Sequence, residues 1–406
     1  MPSPLLYDIT HTHITDQEKE TLSARLADIQ SFSDPAFAAF EPDIPTIITD
    51  AKKFAKKPHI IIIGNGGSVT AAQAFWGLAR ERHPKVSFHF LTTPDPLAIK
   101  RLKKLCPKTA TLVLAISKSG ETVNVIEELT QFGDYTIAVI TQQNTPLFLL
   151  AQQMKWHIFI HPNIGGRFTA RTVVGYLPAQ LMGLNIKQIE EGFADVLCQT
   201  SNKQDRTENN ALDLAVRLFL LEQKGFTEIF LPVYASTLWD TNPLITQLFH
   251  ETICKNGKGQ TVLALAAPES QHHSNQRFFG GPRNMAGLLV TSADTSITGK
   301  VKIPAKASAI AFREGTLKQI DHISLHDALL AEARGTFENA VRLNIPIAQI
   351  TVQEMNEYAL GYYIGFFQMV SIFGAWLRGN NAFDQPDVEA SKEISWKEIT
   401  KKNRKA

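Results

Sequence analysis

Short apolar runs alternate with amphipathic stretches from residue 58 onward. Runs of Ile, Val and Leu that end at polar or glycine-rich turns predict strands, and stretches with apolar residues every three or four positions predict helices. Strands are predicted at 60–63, 86–91, 111–117, 135–140 and 156–160. Helices are predicted from the first glycine turn to Arg80 and near 95–105, 121–131 and 145–153. This alternation indicates a parallel sheet with helices on both faces.

A second run of the same kind follows two helices, predicted at 169–183 and 186–200, and a polar segment at 201–209 that is typical of a linker. Its strands are predicted near 227–232, 261–266, 287–292, 308–312 and 347–351. Its helices are predicted at 209–224, 236–254, 324–343 and 354–378. The predicted fold class is therefore α/β, with two doubly wound domains whose mainly parallel sheets are flanked by helices.

The predicted domains occupy 58–200 and 209–353. We expect 1–57 to be a helical extension, with a helix from Thr15 and a loop at 31–45, and 354–406 to be a C-terminal helical segment. The stretch from Tyr358 to Leu377 carries no charge, but it contains three glycines, a glutamine and a serine. No second apolar segment accompanies it, so a buried helix is favoured over a membrane span.

Composition narrows the class of protein. The 406 residues include 41 Lys and Arg against 39 Asp and Glu, without a basic block, so nucleic acid is not an expected partner. Hydrophobic residues are 44% and charged residues 20%, as in globular proteins. The three cysteines are far apart and form no CxxC pair, which argues against a disulfide scaffold or a thiolate zinc site. That pattern and the lack of a secretion signal favour the cytoplasm.

Two glycine-containing turns follow predicted strands and could hold phosphate. Gly64-Asn65-Gly66-Gly67-Ser68 places free backbone N–H groups at the start of a helix. It lacks the third glycine of a dinucleotide fingerprint, and a tight connection is an equal interpretation. The second turn, residues 117–122, is more specific, because three hydroxyls and a lysine occur within six residues. These are Ser117, Lys118, Ser119 and Thr122. Such a turn suits a phosphomonoester dianion, whereas a capped helix would leave Lys118 and Ser117 unexplained.

Two further residues are candidates for catalysis, although each is weak evidence when taken alone. Arg167 follows Gly165-Gly166 just before a predicted helix, where a guanidinium could face a developing oxyanion. Glu251 lies near the end of helix 236–254, where a glutamate is usually solvated.

Six motifs in chain order give these residues a common meaning. They are Gly-Gly-Ser at 66–68, Ser-Lys-Ser-Gly-Glu-Thr at 117–122, Gly-Gly-Arg-Phe-Thr at 165–169, Gln-Leu-Phe-His-Glu at 247–251, Gln-His-His-Ser-Asn-Gln at 271–276 followed by Gly-Gly-Pro, and the segment 383–392. Together they resemble the phosphoglucose isomerase family, which has two sugar-isomerase (SIS) domains. The resemblance covers residues 58 to 393.

The resemblance implies interconversion of glucose 6-phosphate and fructose 6-phosphate through an enediolate, with no cofactor and no metal, in a homodimer with shared active sites. It assigns phosphate binding to Gly66, Gly67, Ser68, Ser117, Lys118, Ser119 and Thr122, with Gln247 in the substrate site. Arg167 would steady the enediolate and Glu251 would carry the proton between C1 and C2. His272, reaching the neighbouring subunit's site, and Lys392 would open the sugar ring and contact it.

The sequence departs from the family pattern in several places. Cys254-Lys255 and Ser391-Lys392 replace Gly-Lys pairs, and Arg283-Asn284 replaces an acidic residue. A second histidine, His273, follows His272, and the spacing to Gln276 and Gly281 favours His272 as the family residue.

Other interpretations are weaker. The pairs His11/His13 and His322/His326 have no third ligand nearby in sequence, so surface histidines are favoured over metal sites. A non-catalytic SIS sugar-phosphate sensor would usually carry a DNA-binding domain, and none is found. A glutaminase-linked isomerase would need an N-terminal cysteine nucleophile, yet the first cysteine is Cys106. A nicotinamide oxidoreductase is disfavoured by the missing glycine. A bifunctional glucose/mannose-6-phosphate isomerase stays open.

Overall fold

The structure is a computed structural model that describes residues 3–19, 22, 36–82, 86–201 and 209–403. Most of the predicted linker and part of the predicted N-terminal helix and loop lie outside these residues. The strands are β1 Leu5–His11, β2 His59–Ile63, β3 Ser87–Leu91, β4 Thr111–Ile116, β5 Thr136–Thr141, β6 His157–Ile160, β7 Glu228–Val233, β8 Thr261–Ala266, β9 Met285–Ser292, β10 Ala311–Phe312, β11 Gly315–Thr316 and β12 Ile347–Val352.

From residue 70 onward the helices lie close to the predicted positions, except that the helix Ser274–Gly280 was not predicted and the helix predicted at 236–254 begins at Asn242. They are α1 Ile44–Lys52, α2 Thr70–Ala79, α3 Pro96–Leu105, α4 Val123–Thr130, α5 Pro146–Met154, α6 Val173–Leu181, α7 Ile186–Ser201, α8 Asn210–Gln223, α9 Asn242–Ile253, α10 Ser274–Gly280, α11 Leu325–Arg342, α12 Glu357–Leu377 and α13 Glu389–Asn403.

The first sheet has the order β3-β2-β4-β5-β6, and all its pairs are parallel. All six residues of β4 are buried, which explains their uninterrupted apolar character, since a central parallel strand is covered on both faces. The five strands predicted for this run are confirmed to within two residues. Their carboxyl ends share one edge of the sheet, so the turns after β2 and β4 lie side by side.

The second sheet has the order β1-β12-β9-β7-β8 and is parallel except for β1, which is antiparallel to β12. The expectation of only helix and loop before residue 58 was therefore wrong at Leu5–His11. The predicted strand at 308–312 was also wrong. Only Ala311 and Phe312 are extended there, and they pair with β11 outside the main sheet. The predicted loop at 31–45 ends early, because Asp43 caps α1 through the Thr46 N–H at 3.1 Å.

One hydrophobic core joins both sheets, with α12 within it. Among the described residues, α12 is the one helix long and apolar enough to cross a membrane, and 83% of its apolar window is buried inside the protein. The predicted buried helix is thus confirmed.

Candidate active site

The glycine turn after β2 lies against the turn that carries Arg167. A Cβ atom on Gly67 would stand 2.0 Å from the carbonyl carbon of Gly166, so no side chain fits at this position. The Thr169 hydroxyl also donates to the Gly67 carbonyl at 3.3 Å. Backbone contact between the two turns therefore fixes Arg167 beside the carboxyl edge of the first sheet.

The predicted phosphate turn follows β4 directly and is internally ordered. The hydroxyls of Ser117 and Thr122 share a hydrogen bond of 2.8 Å, and the Gly120 N–H donates to Ser117 Oγ at 3.1 Å. Gly120 has φ of +63°, and a Cβ there would lie 2.5 Å from Thr145 Oγ1. Partial burial lowers the pKa of Lys118. The turn thus combines fixed hydroxyls with a partly desolvated amine, a combination suited to an anion.

The carboxylate of Glu251 connects the two halves of the chain through a hydrogen bond. It lies on α9, in the second α/β unit, and its Oε2 accepts from Arg167 at 3.1 Å. Its Oε1 accepts from Gln247, one helical turn earlier, at 2.9 Å. Gln247 in turn accepts from the Thr70 hydroxyl at 2.9 Å and lies 3.0 Å from the position of a Cβ on Gly66. Both carboxylate oxygens are thus oriented by partners, while 28% of the side chain stays exposed.

Arg167 is almost fully buried, at 1% exposed, and all five of its N–H groups have acceptors. Besides Glu251, these are Thr252 Oγ1 at 2.7 Å, Gln385 Oε1 at 2.8 Å, the Ala382 carbonyl at 2.6 Å and the Asp384 carbonyl at 3.0 Å. Burial lowers the pKa of Arg167, and Glu251 and Asp384 counter this effect. The guanidinium therefore ties the glutamate to the C-terminal loop, and it meets a substrate oxygen only by exchanging one of these acceptors.

Lys255 binds the same C-terminal loop. Its ammonium donates to the carbonyls of Asn381 and Asp384, and it pairs with the Asp384 carboxylate at 2.7 Å. Burial lowers the pKa of this lysine, and the hydrogen bond to Asp384 raises it in part. Two buried cations thus hold the loop against the end of α9.

A pocket of about 530 Å³ opens beside Glu251. Its lining includes Gly66, Thr70, Gln247, His250 and Glu251. The His250 Nε2 accepts from the Val262 N–H at 3.1 Å, and burial lowers the pKa of the ring. A neutral imidazole therefore forms part of the wall, next to the carboxylate.

The chain does not bring His272 or Lys392 into this pocket. His272 ends a short 3₁₀ helix, Glu269–His272, and is exposed. His273, also exposed, is engaged by Glu269 at 3.3 Å and by Ser274 at 2.7 Å. Lys392 is 64% exposed on α13 and pairs with Glu389 at 2.7 Å. Within one chain, then, the structure assembles the glycine turn, Arg167, Gln247 and Glu251, and leaves these two residues on the surface.

Four residues that contact the site were not found from the sequence: Thr70, Thr252, Lys255 as a loop anchor, and Gln385. The signal for Thr252 and Lys255 was their position next to Glu251. Thr70 carries no local signal, because its partner Gln247 is 177 positions away. Gln385 lies within the motif segment 383–392, but its contact with Arg167, 218 positions away, is visible only in the fold.

Comparison with solved structures identifies the fold. A hypothetical protein from Thermus thermophilus superposes with a TM-score of 0.84 at 23% identity, over 97% of this chain and 99% of that one. A glucose-6-phosphate isomerase from Chlamydia trachomatis superposes with a TM-score of 0.80 at 16% identity, over 98% of this chain and 89% of that one. The fold is that of the SIS phosphosugar isomerases.

Sequence comparison is more specific, although no family model matches the chain. A probable glucose-6-phosphate isomerase of Methanococcus maripaludis is 26% identical over 84% of this chain and 78% of its own length. The glucose-6-phosphate isomerase of Carboxydothermus hydrogenoformans is 26% identical over 88% and 82%. Over most of its length the chain is thus similar to glucose-6-phosphate isomerases, which supports the family resemblance that its motifs indicated.

Proposed function

We propose that the chain interconverts glucose 6-phosphate and fructose 6-phosphate through an enediolate. The observation that carries the proposal is the carboxylate of Glu251, held by Arg167 and Gln247 at the wall of an open pocket. Relatives that carry the name glucose-6-phosphate isomerase align with most of the chain.

The reaction needs one base that takes a proton from C2 and returns it to C1, or the reverse. Glu251 fills this role because both its oxygens are oriented and part of the side chain faces the pocket. The oxygen of the intermediate gains negative charge, and Arg167 stabilises it once NH1 exchanges Gln385 for that oxygen. Proton transfer of this kind requires neither a redox cofactor nor a metal, and we propose that turnover uses none.

The phosphate binds at Ser117, Lys118, Ser119 and Thr122. The turns after β2 and β4 are adjacent, because a Cβ on Gly64 would lie 3.1 Å from the Ile116 carbonyl, which directly precedes Ser117. Gly66, Gly67 and Ser68 therefore lie between the phosphate turn and Gln247.

We propose that His272 and Lys392 act in a homodimer with shared sites. His272 then opens the sugar ring in the site of the second copy, which accounts for its exposure in one chain. The segment 354–406 completes the site, a role supported by the contacts of Arg167 and Lys255 with residues 381–385. The proposal also includes the division into units at 58–200 and 209–353. It places the protein in the cytoplasm, in glycolysis and gluconeogenesis.

The decisive test of the base is Glu251→Gln, with Glu338→Gln at an exposed position as the matched control. Fructose 6-phosphate turnover is followed by a coupled assay for glucose 6-phosphate, and deuterium uptake from solvent by NMR. We expect Glu251→Gln to lower both rates by ~10²–10⁴ and the control to leave them unchanged. Deuterium exchange at the wild-type rate in Glu251→Gln would remove the glutamate from this role. Mannose 6-phosphate, assayed in parallel, decides between a single and a dual specificity.

Sharing of sites is tested by co-expressing Glu251→Gln with His272→Ala. If the histidine acts across the interface, mixed dimers contain one intact site, and statistical mixing restores about a quarter of wild-type activity. If the histidine acts within its own chain, mixing restores none. His273→Ala serves as the control, and we expect little change in kcat/KM from it.

A further inference from the structure

Two histidines and a cysteine converge at the edge of the first sheet opposite the glycine turns. His59 is the first residue of β2, His89 is the third residue of β3, and Cys106 directly follows α3. Because His89 pairs with Ile61 in the register, His59 and His89 point to the same face of the sheet, the one that α3 covers. One ligand atom from each of the three residues lies within 4.8 Å of the other two.

The surroundings of this cluster leave polar atoms without partners. Cys106 is fully buried, and the two imidazole rings stack with their centroids 6.1 Å apart. His59 Nδ1 and His89 Nε2 are both buried and have no hydrogen-bond partner. An unpaired polar atom in the interior is destabilising, and two of them in neighbouring rings beside a thiol require an explanation.

We propose that His59, His89 and Cys106 bind a zinc-class divalent cation, with water as the fourth ligand. Two imidazoles and one thiolate are a ligand set that zinc prefers over calcium or magnesium. Tetrahedral zinc, with bonds of about 2.0 Å to nitrogen and 2.3 Å to sulfur, separates its ligand atoms by roughly 3.4–3.6 Å. A tetrahedral site therefore requires the side chains to rotate until the 4.8 Å spread closes to this value.

Binding converts the Cys106 thiol to a thiolate, and its proton passes to solvent as the Sγ–metal bond forms. Burial raises the pKa of this thiol to about 11, so the cysteine is protonated without the cation. Burial lowers the pKa of His89, and the charges of His59 and Arg101 lower it further. The positive charge of Arg101 also opposes a dication. The new thiolate offsets that charge.

Because of the position of the cluster, a bound cation contributes to the stability of the fold rather than to turnover. The glycine turn begins at the carboxyl end of β2, whereas His59 is at the amino end of the same strand. The cation therefore joins β2, β3 and the end of α3 at a corner that Glu251 does not contact.

The test uses the whole protein, freed of metal by a chelator and titrated with Co²⁺ as an optical probe and then with Zn²⁺. We expect one equivalent of Co²⁺ to give a thiolate-to-cobalt charge-transfer band, together with the visible bands of a tetrahedral ion, and Zn²⁺ to displace it. Zinc at about 100 times its dissociation constant should raise Tm by ~3 °C. Chelation should reverse the shift and leave kcat for fructose 6-phosphate unchanged.

Cys106→Ser should abolish the charge-transfer band, and His59→Gln should weaken Co²⁺ binding at least tenfold. The matched controls are Cys198→Ser, at an exposed cysteine, and His157→Gln, on β6 of the same sheet, and both should bind as the wild type does. If Cys106→Ser does not fold, His59→Gln carries the test alone. Equal binding in His59→Gln and the wild type, or a band that disappears in Cys198→Ser, would overturn the proposal. So would a cobalt affinity weaker than millimolar. None of these outcomes bears on the role of Glu251.

Discussion

Substitution of Thr252 tests most directly whether the buried guanidinium of Arg167 holds the site in place. Its hydroxyl oxygen accepts from Arg167 Nε at 2.7 Å, and both side chains are shielded from solvent, at 0% and 1% exposed. Valine in place of threonine keeps the shape but removes the acceptor, and water cannot reach the N–H to replace it. A hydrogen bond to a charged group contributes about 1.5–3 kcal/mol, and we expect Thr252→Val to lose that amount.

The comparison variant is Thr252→Ser, which keeps the acceptor and loses one buried methyl group. That loss costs about 1 kcal/mol. The prediction is therefore that Thr252→Val, which keeps the packing, is less stable than Thr252→Ser, which keeps the acceptor. Urea unfolding gives the two midpoints, which are compared at a common slope.

Activity provides a second measurement on the same two variants. Because NH1 of Arg167 also holds Glu251, Thr252→Val should lower kcat more than Thr252→Ser does. A valine variant that is as stable and as active as the serine variant would refute the reasoning, since the Nε contact would then contribute nothing.

Three other predictions concern different parts of the chain. Gly67→Ala places its Cβ 2.0 Å from the Gly166 carbonyl carbon and should separate the two turns, with loss of activity. Gly335→Ala, in a helix with open space, should instead raise Tm slightly. Melting curves and rates are measured for both variants, and an active Gly67→Ala would contradict the prediction. Burial raises the pKa of Glu128 from 4.5 to about 7, so the folded state holds an extra proton and stability falls as pH rises from about 4.5 to 7. Glu128→Gln should remove this loss, worth about 1–3 kcal/mol, and a wild-type pH dependence in its unfolding would exclude the assignment. Lys118→Ala should raise KM and weaken inhibition by inorganic phosphate, and unchanged phosphate inhibition would place the phosphate elsewhere.

The strands and helices of the first unit could be predicted because their signal is local. The apolar run at 60–63 and the fully buried β4 stand out against polar turns, and a parallel sheet buries them in full. The strand β1 could not be predicted in this way. It is an edge strand with alternating burial, and its partner β12 lies at the other end of the sequence.

The candidate site likewise contains residues that the sequence identified and residues that it did not. The motifs around Arg167 and Glu251 were visible in the sequence, and the structure brings the two side chains to 3.1 Å. Gln385 and Thr70 were missed, since only tertiary packing joins them to the site. The cluster of His59, His89 and Cys106 was missed for a related reason. The expectation that excluded a thiolate zinc site looked for ligands in CxxC pairs, whereas here each ligand comes from a different element.

The pairing of β1 with β12 has a consequence for how the protein is made. Leu5 leaves the ribosome before its partner Val352, which is about 350 residues further along the chain. At ~5–20 residues per second, β1 waits on the order of 20–70 s before its edge of the sheet can exist. The first sheet, whose strands lie between His59 and Ile160, is complete long before that. The strand β1 is thus synthesised before the first sheet but pairs after that sheet is complete, and until then it must be kept from pairing with other nascent chains.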